Sequence, residues 1–278
     1  MAMLNREIMN AVSDIIMNRP LPIREVDQIY MKAGDLALQS FFIGQRFRDL
    51  DVVFIGDGDA VALSTMYLFH CDLLDVAPKS IHLLDFDERI VNSVIRFADK
   101  YRFTNRISAS LYNVIDPLPS THQRRYDAFY TNPPWGASNE GESVKAFVER
   151  GIQATRDHNA QGAIVIGDDP ALVWTQEVLH VIQEASLGED FIVSEMVPAV
   201  HNYHLDDAPH LRSCNCLVRR ARQRTGTYSS EALSPDRYAR FYGRNNPLRI
   251  RYIREELSLN VGRAVDQTYK LEFLEGKS

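Results

Sequence analysis

Val53-Phe54-Ile55-Gly56-Asp57-Gly58-Asp59 and Leu83-Leu84-Asp85-Phe86-Asp87-Glu88 decide the fold between them. The first stretch is an apolar strand running into a glycine turn. The second is an apolar strand that ends in acids. Together they mark a doubly wound sheet that holds a nucleoside cofactor. The turn is itself acidic, and that narrows the ligand. Carboxylates at Asp57 and Asp59 would repel a pyrophosphate. A nucleoside with a cationic tail suits them better, and S-adenosylmethionine and its decarboxylated form fit that description.

Length and composition set loose bounds. The 278 residues can hold one large α/β domain and a small appendage. A hydrophobic share of 45% with 24% charged residues is that of a soluble globular protein. The net charge of −6 argues against a coat for nucleic acid and suits a cationic substrate. No apolar run is long enough to span a bilayer. Arg6, Glu7 and Asp14 rule out a secretory signal at the start. Cys71, Cys214 and Cys216 form no disulfide framework, so a reducing cytoplasm is the expected compartment.

Outward from the two motifs, strands and helices alternate. Strands are expected near 51–55, 80–85, 106–111, 126–131 and 163–167, with helices near 60–74, 89–101, 143–157 and 171–184. Such alternation gives a parallel sheet with right-handed crossovers. Longer strands at 191–201 and 214–222 look like a terminal antiparallel pair. The expected fold is therefore a Rossmann-like, class I methyltransferase-type α/β sheet with added N-terminal helices. Leu4, Ile8, Val12 and Ile15 place one such helix before Pro20 and Pro22, and a second is expected over 23–43. Its apolar stripe reads as core, with Gln28 and Tyr30 as alternative cleft residues. The expected divisions are a helical segment 1–47, a catalytic domain 48–222 and a partly irregular extension 223–278.

The turn departs from the usual methyltransferase form, because Phe54 stands where an acid is common and Ala60 holds the third glycine position. It resembles instead the turn of spermidine and spermine synthases, where an Asp follows the third glycine; Asp59 falls on that Asp. Two further stretches extend the likeness: Tyr112-Asn113-Val114 with Pro117-Leu118-Pro119, and Tyr126-Asp127-Ala128-Phe129-Tyr130-Thr131-Asn132-Pro133-Pro134-Trp135. Taken in order, these elements resemble the bis(aminopropyl)spermidine synthase family of branched-chain polyamine enzymes over roughly residues 20 to 220. The resemblance implies that Gly56, Asp57, Gly58 and Asp59 face the cofactor. It places Asp85 on the ribose hydroxyls with Asp87 two residues on, and Asn113 at the adenine amine. An Asn there still offers an oxygen acceptor where the family has an Asp.

Asn132 replaces the Asp of the family's Asp-Pro-Pro-Tyr loop. Asn-Pro-Pro-Trp also matches the loop of methyltransferases that modify a base or amide nitrogen. In both settings two prolines hold carbonyls toward one spot, so Asn132 and the Pro133 carbonyl would orient the attacking nitrogen. Trp135 is either a stacking partner or a packing anchor. An Asn cannot serve as base, and Asp168 and Asp169 could supply acid/base or cation-binding groups. In His201–His210, three His and two Asp match no metal spacing, so no metal is expected. A substrate-facing loop, with Asp206 and Asp207 toward a polycation, is the favoured reading. The arginines at 219, 220, 222 and 224 read as a solvated strand edge.

The leading expectation is an aminopropyltransferase that uses decarboxylated S-adenosylmethionine and a small-molecule polyamine. An S-adenosylmethionine-dependent N-methyltransferase and a non-catalytic polyamine or nucleoside binder are the alternatives. Nucleic acid and membrane partners are not expected, and a homodimer is left open.

Overall fold

A computed structural model describes residues 4–136, 138–206, 208–224, 229–243, 249–257 and 268–274. The parallel strands are β1 (Asp51–Ile55), β2 (Ser80–Asp85), β3 (Ile107–Leu111), β4 (Ala128–Thr131) and β5 (Gln161–Gly167). β6 (Phe191–Asn202) and β7 (Arg212–Arg220) follow. The seven lie in the order β3-β2-β1-β4-β5-β7-β6. β7 runs antiparallel to β5 and to β6. The expected class I methyltransferase-type sheet is therefore the observed one. Val52, Val53, Phe54 and Ile55 on β1 and all of β4 are buried, as strands covered on both faces require. The order reverses between β1 and β4, and folds of this class bind ligands beyond the strand ends at such a switch point.

The chain gathers into two compact units that interleave in sequence: 1–51, 57–113 and 248–278 form one, and 52–56 with 114–247 the other.

In the first unit, α1 (Arg6–Asn18) starts on the side chain of Asn5 and stops before Pro20. The single helix expected over 23–43 is replaced by a short 3-10 turn at Arg24–Val26, extended chain, and α2 (Ala33–Arg46). The reason lies in side-chain demand. Gln28 Oε1 accepts from Ile23 N at 2.9 Å, and Asp27 turns left-handed at φ 58°, so the chain cannot coil on. α3 (Val61–His70) and α4 (Glu88–Lys100) complete the unit's larger helices. Asp87 caps α4, with Glu88 in its first turn and Lys100 in its last, each on the favourable end of the helix dipole.

Among the described residues of the extension, two strands pair that its sequence does not announce. β8 (Ile250–Leu257) and β9 (Thr268–Phe273) form an antiparallel hairpin. Ile250 and Ile253 bury against Ile23, with Val26, Phe86 and Leu271 packed around them. Glu255 accepts from Asn92 at 2.7 Å and pairs with Arg96 at 2.9 Å.

The second unit adds α5 (Glu142–Ala154), α6 (Val173–Gly188) and the short α7 (Pro235–Phe241). Arg237 ties α7 to Glu142 and Glu149 of α5. Among the described residues, no helix is long and apolar enough to cross a membrane.

Candidate active site

In the first unit, the glycine turn and the end of β2 bring four acids together, and each is buried. Asp57, Asp59, Asp85 and Asp87 are between 0 and 3% exposed. Asp57 turns its carboxylate into the start of α3, accepting from Val61 N at 2.9 Å and Ala62 N at 2.7 Å. Capping is thus one job of Asp57. Each oxygen keeps a second lone pair for a ligand. Burial drives its acidity well down, with the charges of Asp59 and Asp85 acting in the same sense, so its pKa lies well above the carboxylate range.

Asp59 accepts from Met31 N at 2.6 Å, and its carbonyl accepts from Arg19 at 3.0 Å. The Arg19 guanidinium lies 4.5 Å over the Tyr30 ring. Tyr30 in turn packs beneath Gly58, where an added Cβ would meet its ring at 2.8 Å. Gly56 has φ +73°, and Ala60 is held at φ 65°, in the region that favours glycine.

Asp85 is the hub of the group. One oxygen accepts from Asp57 N and the other from Asp87 N, both at 2.9 Å. Burial and the charge of Asp87 push its pKa up to about 7 in spite of those two bonds. Asp87 is committed differently. It pairs with Arg89 at 2.6 Å, caps α4, and accepts from Gln28 at 2.9 Å. Gln28 and Tyr30, expected mainly as core, thus stand among the acids. Asn113 is buried and donates to the carbonyl of Arg251 on β8 at 2.6 Å. That bond fixes which end of the amide is the donor and leaves its oxygen as the acceptor end.

In the second unit, β4 delivers the Asn132-Pro133-Pro134-Trp135 loop. Thr131 anchors its base by donating to Ile55 O at 2.7 Å. Pro133 is buried and Asn132 half-buried. The Trp135 indole N–H lies 3.4 Å from Asn132 Oδ1, and its ring stands edge-on to Tyr203, centroids 5.1 Å apart. Gly167, at the end of β5, leaves room for that ring; a Cβ there would meet it at 2.9 Å.

Asp168 and Asp169 follow β5 and are half-buried. Asp169 accepts from Ala171 N at 2.9 Å, and Thr175 bonds its carbonyl at 2.8 Å, which shapes the approach to α6. Asp168 lies near Cys214 and Cys216, adding to the burial that raises both thiols. Asp206 is exposed, and Asp207 lies outside the described residues. His201 departs from its neighbours: it is buried against Ser213, whereas His204 and His210 are exposed.

With this geometry in hand, comparisons with known proteins are consistent with one another. The pattern that defines the branched-chain polyamine synthase A C-terminal domain matches residues 7–260. The N(4)-bis(aminopropyl)spermidine synthase of Methanocaldococcus jannaschii is 28% identical over 160 residues, 56% of this chain and 42% of that protein. The enzyme of the same name from Thermococcus kodakarensis is 27% identical over 158 residues, with the same coverage of 56% and 42%. The match therefore spans less than half the length of these curated relatives.

Among solved structures, the branched-chain polyamine synthase of Thermus thermophilus, in complex with N4-aminopropylspermidine and 5'-methylthioadenosine, superposes with a TM-score of 0.65 at 18% identity. The superposition covers 81% of this chain and 67% of that one. A Pyrococcus horikoshii protein provisionally assigned as an RNA methyltransferase gives 0.55 at 13% identity, over 79% of this chain and 98% of that one. At these identities the structures speak for the fold.

Proposed function

The chain belongs to the branched-chain polyamine synthase family through the C-terminal domain that defines it, and on that premise we propose that it moves an aminopropyl group from decarboxylated S-adenosylmethionine to a polyamine nitrogen. The observation that carries this reading is the acidic glycine turn. Asp57 and Asp59 are both buried, and Asp57 is held well above its ordinary pKa by burial and its acidic neighbours. Such a pair gains from a cation placed beside it and loses from a carboxylate. The donor that fits has an ammonium tail and no carboxylate. The Thermus enzyme's complex with methylthioadenosine, the nucleoside such a transfer leaves behind, supports the same choice.

In this reading Asp85 takes the ribose hydroxyls and the Asn113 oxygen takes the adenine amine. Asp87 acts behind them by fixing the strand end. In the second unit, the Asn132 side chain and the Pro133 carbonyl orient the attacking nitrogen. Displacement at the sulfonium carbon is in-line, so catalysis is mainly positioning and charge placement. Asp168, with Asp169 beside it, stands ready to hold a proton or an ammonium group, and Asp206 with Asp207 to hold a distal one.

One experiment tests the proposal. Calorimetry compares decarboxylated S-adenosylmethionine with S-adenosylmethionine, and mass spectrometry follows the product with spermidine. Tighter binding of the decarboxylated donor and an aminopropyl adduct are the expected results. Preference for the carboxylated donor with methyl transfer would establish the second reading, N-methylation of a planar nitrogen. That reading is favoured only by the Asn-Pro-Pro-Trp loop itself.

A further inference from the structure

Behind the Asn132–Trp135 loop lies a buried hydrogen-bonded chain that the proposed reaction has not used. Strands β6 and β7 place His201 opposite Ser213. The register slips between Val197 and His201, where Ala199 adopts φ 52°, and this bulge turns His201 onto its partner. His201 Nδ1 lies 2.7 Å from Ser213 Oγ, and the Tyr203 hydroxyl lies 2.9 Å from the same oxygen. Exposure is 1% for His201, 0% for Ser213 and 5% for Tyr203. The Tyr203 ring then meets Trp135 at right angles, 88° between planes, and Trp135 reaches Asn132.

We propose that Tyr203 is a positioning residue for the acceptor nitrogen: Ser213 and His201 hold its hydroxyl, and its ring holds Trp135 and hence the Asn132 carboxamide. The proposal rests on the reading of the Asn132–Trp135 loop as the acceptor site. Two rival roles fare worse. As a general base, His201 would have to take a proton from an alkylammonium ion. Burial lowers its pKa to about 4, and so weak a base leaves that proton where it is. As plain core packing, the cluster has no need of a hydroxyl. A phenylalanine would fill the same space without a buried polar group to satisfy. What the three polar groups add is direction. They fix one rotamer of Tyr203, and an edge-to-face contact transmits it, since such ring pairs are angle-selective.

The test separates hydroxyl from ring. Tyr203→Phe keeps the ring, and Tyr203→Leu removes it. Each is made in the full chain and assayed with decarboxylated S-adenosylmethionine and spermidine. Each is also made in a Trp174→Phe background, where Trp135 is the one remaining tryptophan. The expected result for Tyr203→Phe is a kcat about tenfold lower, with the acceptor KM and donor affinity within about twofold of wild type. Trp135 fluorescence should lose anisotropy in Tyr203→Phe and more in Tyr203→Leu. Wild-type kcat and anisotropy in Tyr203→Phe would overturn the proposal, as would a loss of rate matched by lost donor affinity and melting temperature. If wild type transfers nothing to spermidine, the underlying reading fails, and Trp135 anisotropy alone then decides whether the hydroxyl chain holds the ring.

Discussion

Asp85 accepts the main-chain N–H of Asp57 at 2.9 Å, so the acid that ends β2 also closes the glycine turn. On the proposed reading, ribose recognition and turn geometry share one carboxylate. Asp85→Asn keeps an acceptor but loses the charge, and nucleoside affinity should fall by about 1.5–3 kcal/mol, roughly 10- to 150-fold. Calorimetry with methylthioadenosine checks this. Affinity equal to wild type would remove Asp85 from the ribose site.

The raised pKa of Asp85 gives a signed pH dependence. Its folded value is about 7 against an ordinary 3.8, so between those limits the native state holds a proton that the unfolded chain has lost. Stability from this group is full below about pH 4 and declines as pH rises toward 7. Asp57 shifts in the same direction. The ligand-free protein should gain melting temperature on acidification from pH 7 toward 5. A nucleoside that needs the ionised carboxylate should release protons on binding near pH 6.5. Calorimetry in two buffers of different ionisation enthalpy reads that release, and buffer-independent heats would refute it.

Asp87 and Arg89 form a pair at 2.6 Å that is nearly sealed from water, 0 and 2% exposed. Asp87→Ala strands a buried guanidinium and should cost about 3–5 kcal/mol, visible in urea unfolding. The double change Asp87→Leu with Arg89→Leu should cost clearly less than either single change, because the pair's desolvation is then relieved.

Ala60 holds φ 65° at the third glycine position. Ala60→Gly relieves the strain and should stabilise the protein by about 0.5–1 kcal/mol without loss of donor affinity. A fall in melting temperature would show that the alanine methyl packs usefully.

Cofactor choice is checked at the turn itself. Asp59→Asn removes a charge that should favour an ammonium tail over a carboxylate, so the affinity gap between decarboxylated and ordinary S-adenosylmethionine should narrow about tenfold. An unchanged gap would place the discrimination elsewhere.

The strand-end acids were legible because they interrupt apolar runs at the one place where a ligand-binding sheet tolerates charge. β1 and β2 begin and end where the sequence puts them for the same reason. The segment 23–32 misled because Ile29 falls at helical spacing with Ala33 and Leu36, while the backbone there is claimed by Gln28 and Asp59. The hairpin β8–β9 was illegible locally. Its polar partners, Asn92, Arg96 and Asn113, lie 138 to 163 residues away. The sequence marks His201 and Tyr203 only as part of a polar segment. Their meeting with Ser213 depends on a bulge in the β6–β7 register, which no periodicity announces.

The hairpin has a consequence for synthesis. The first unit includes residues that precede those of the second, yet it is completed by β8 and β9 from residues 250 to 273. The second unit draws only on 52–56 and 114–247, all made earlier. As the chain leaves the ribosome, the later-starting unit has all its residues first. The earlier one waits with Asn92, Arg96 and the Asn113 amide unpaired by their hairpin partners. A nascent chain halted before residue 250 should therefore be protease-resistant around β4, β5 and β7 and labile around α4, and on the proposed reading nucleoside affinity should appear only once β8 and β9 have been made.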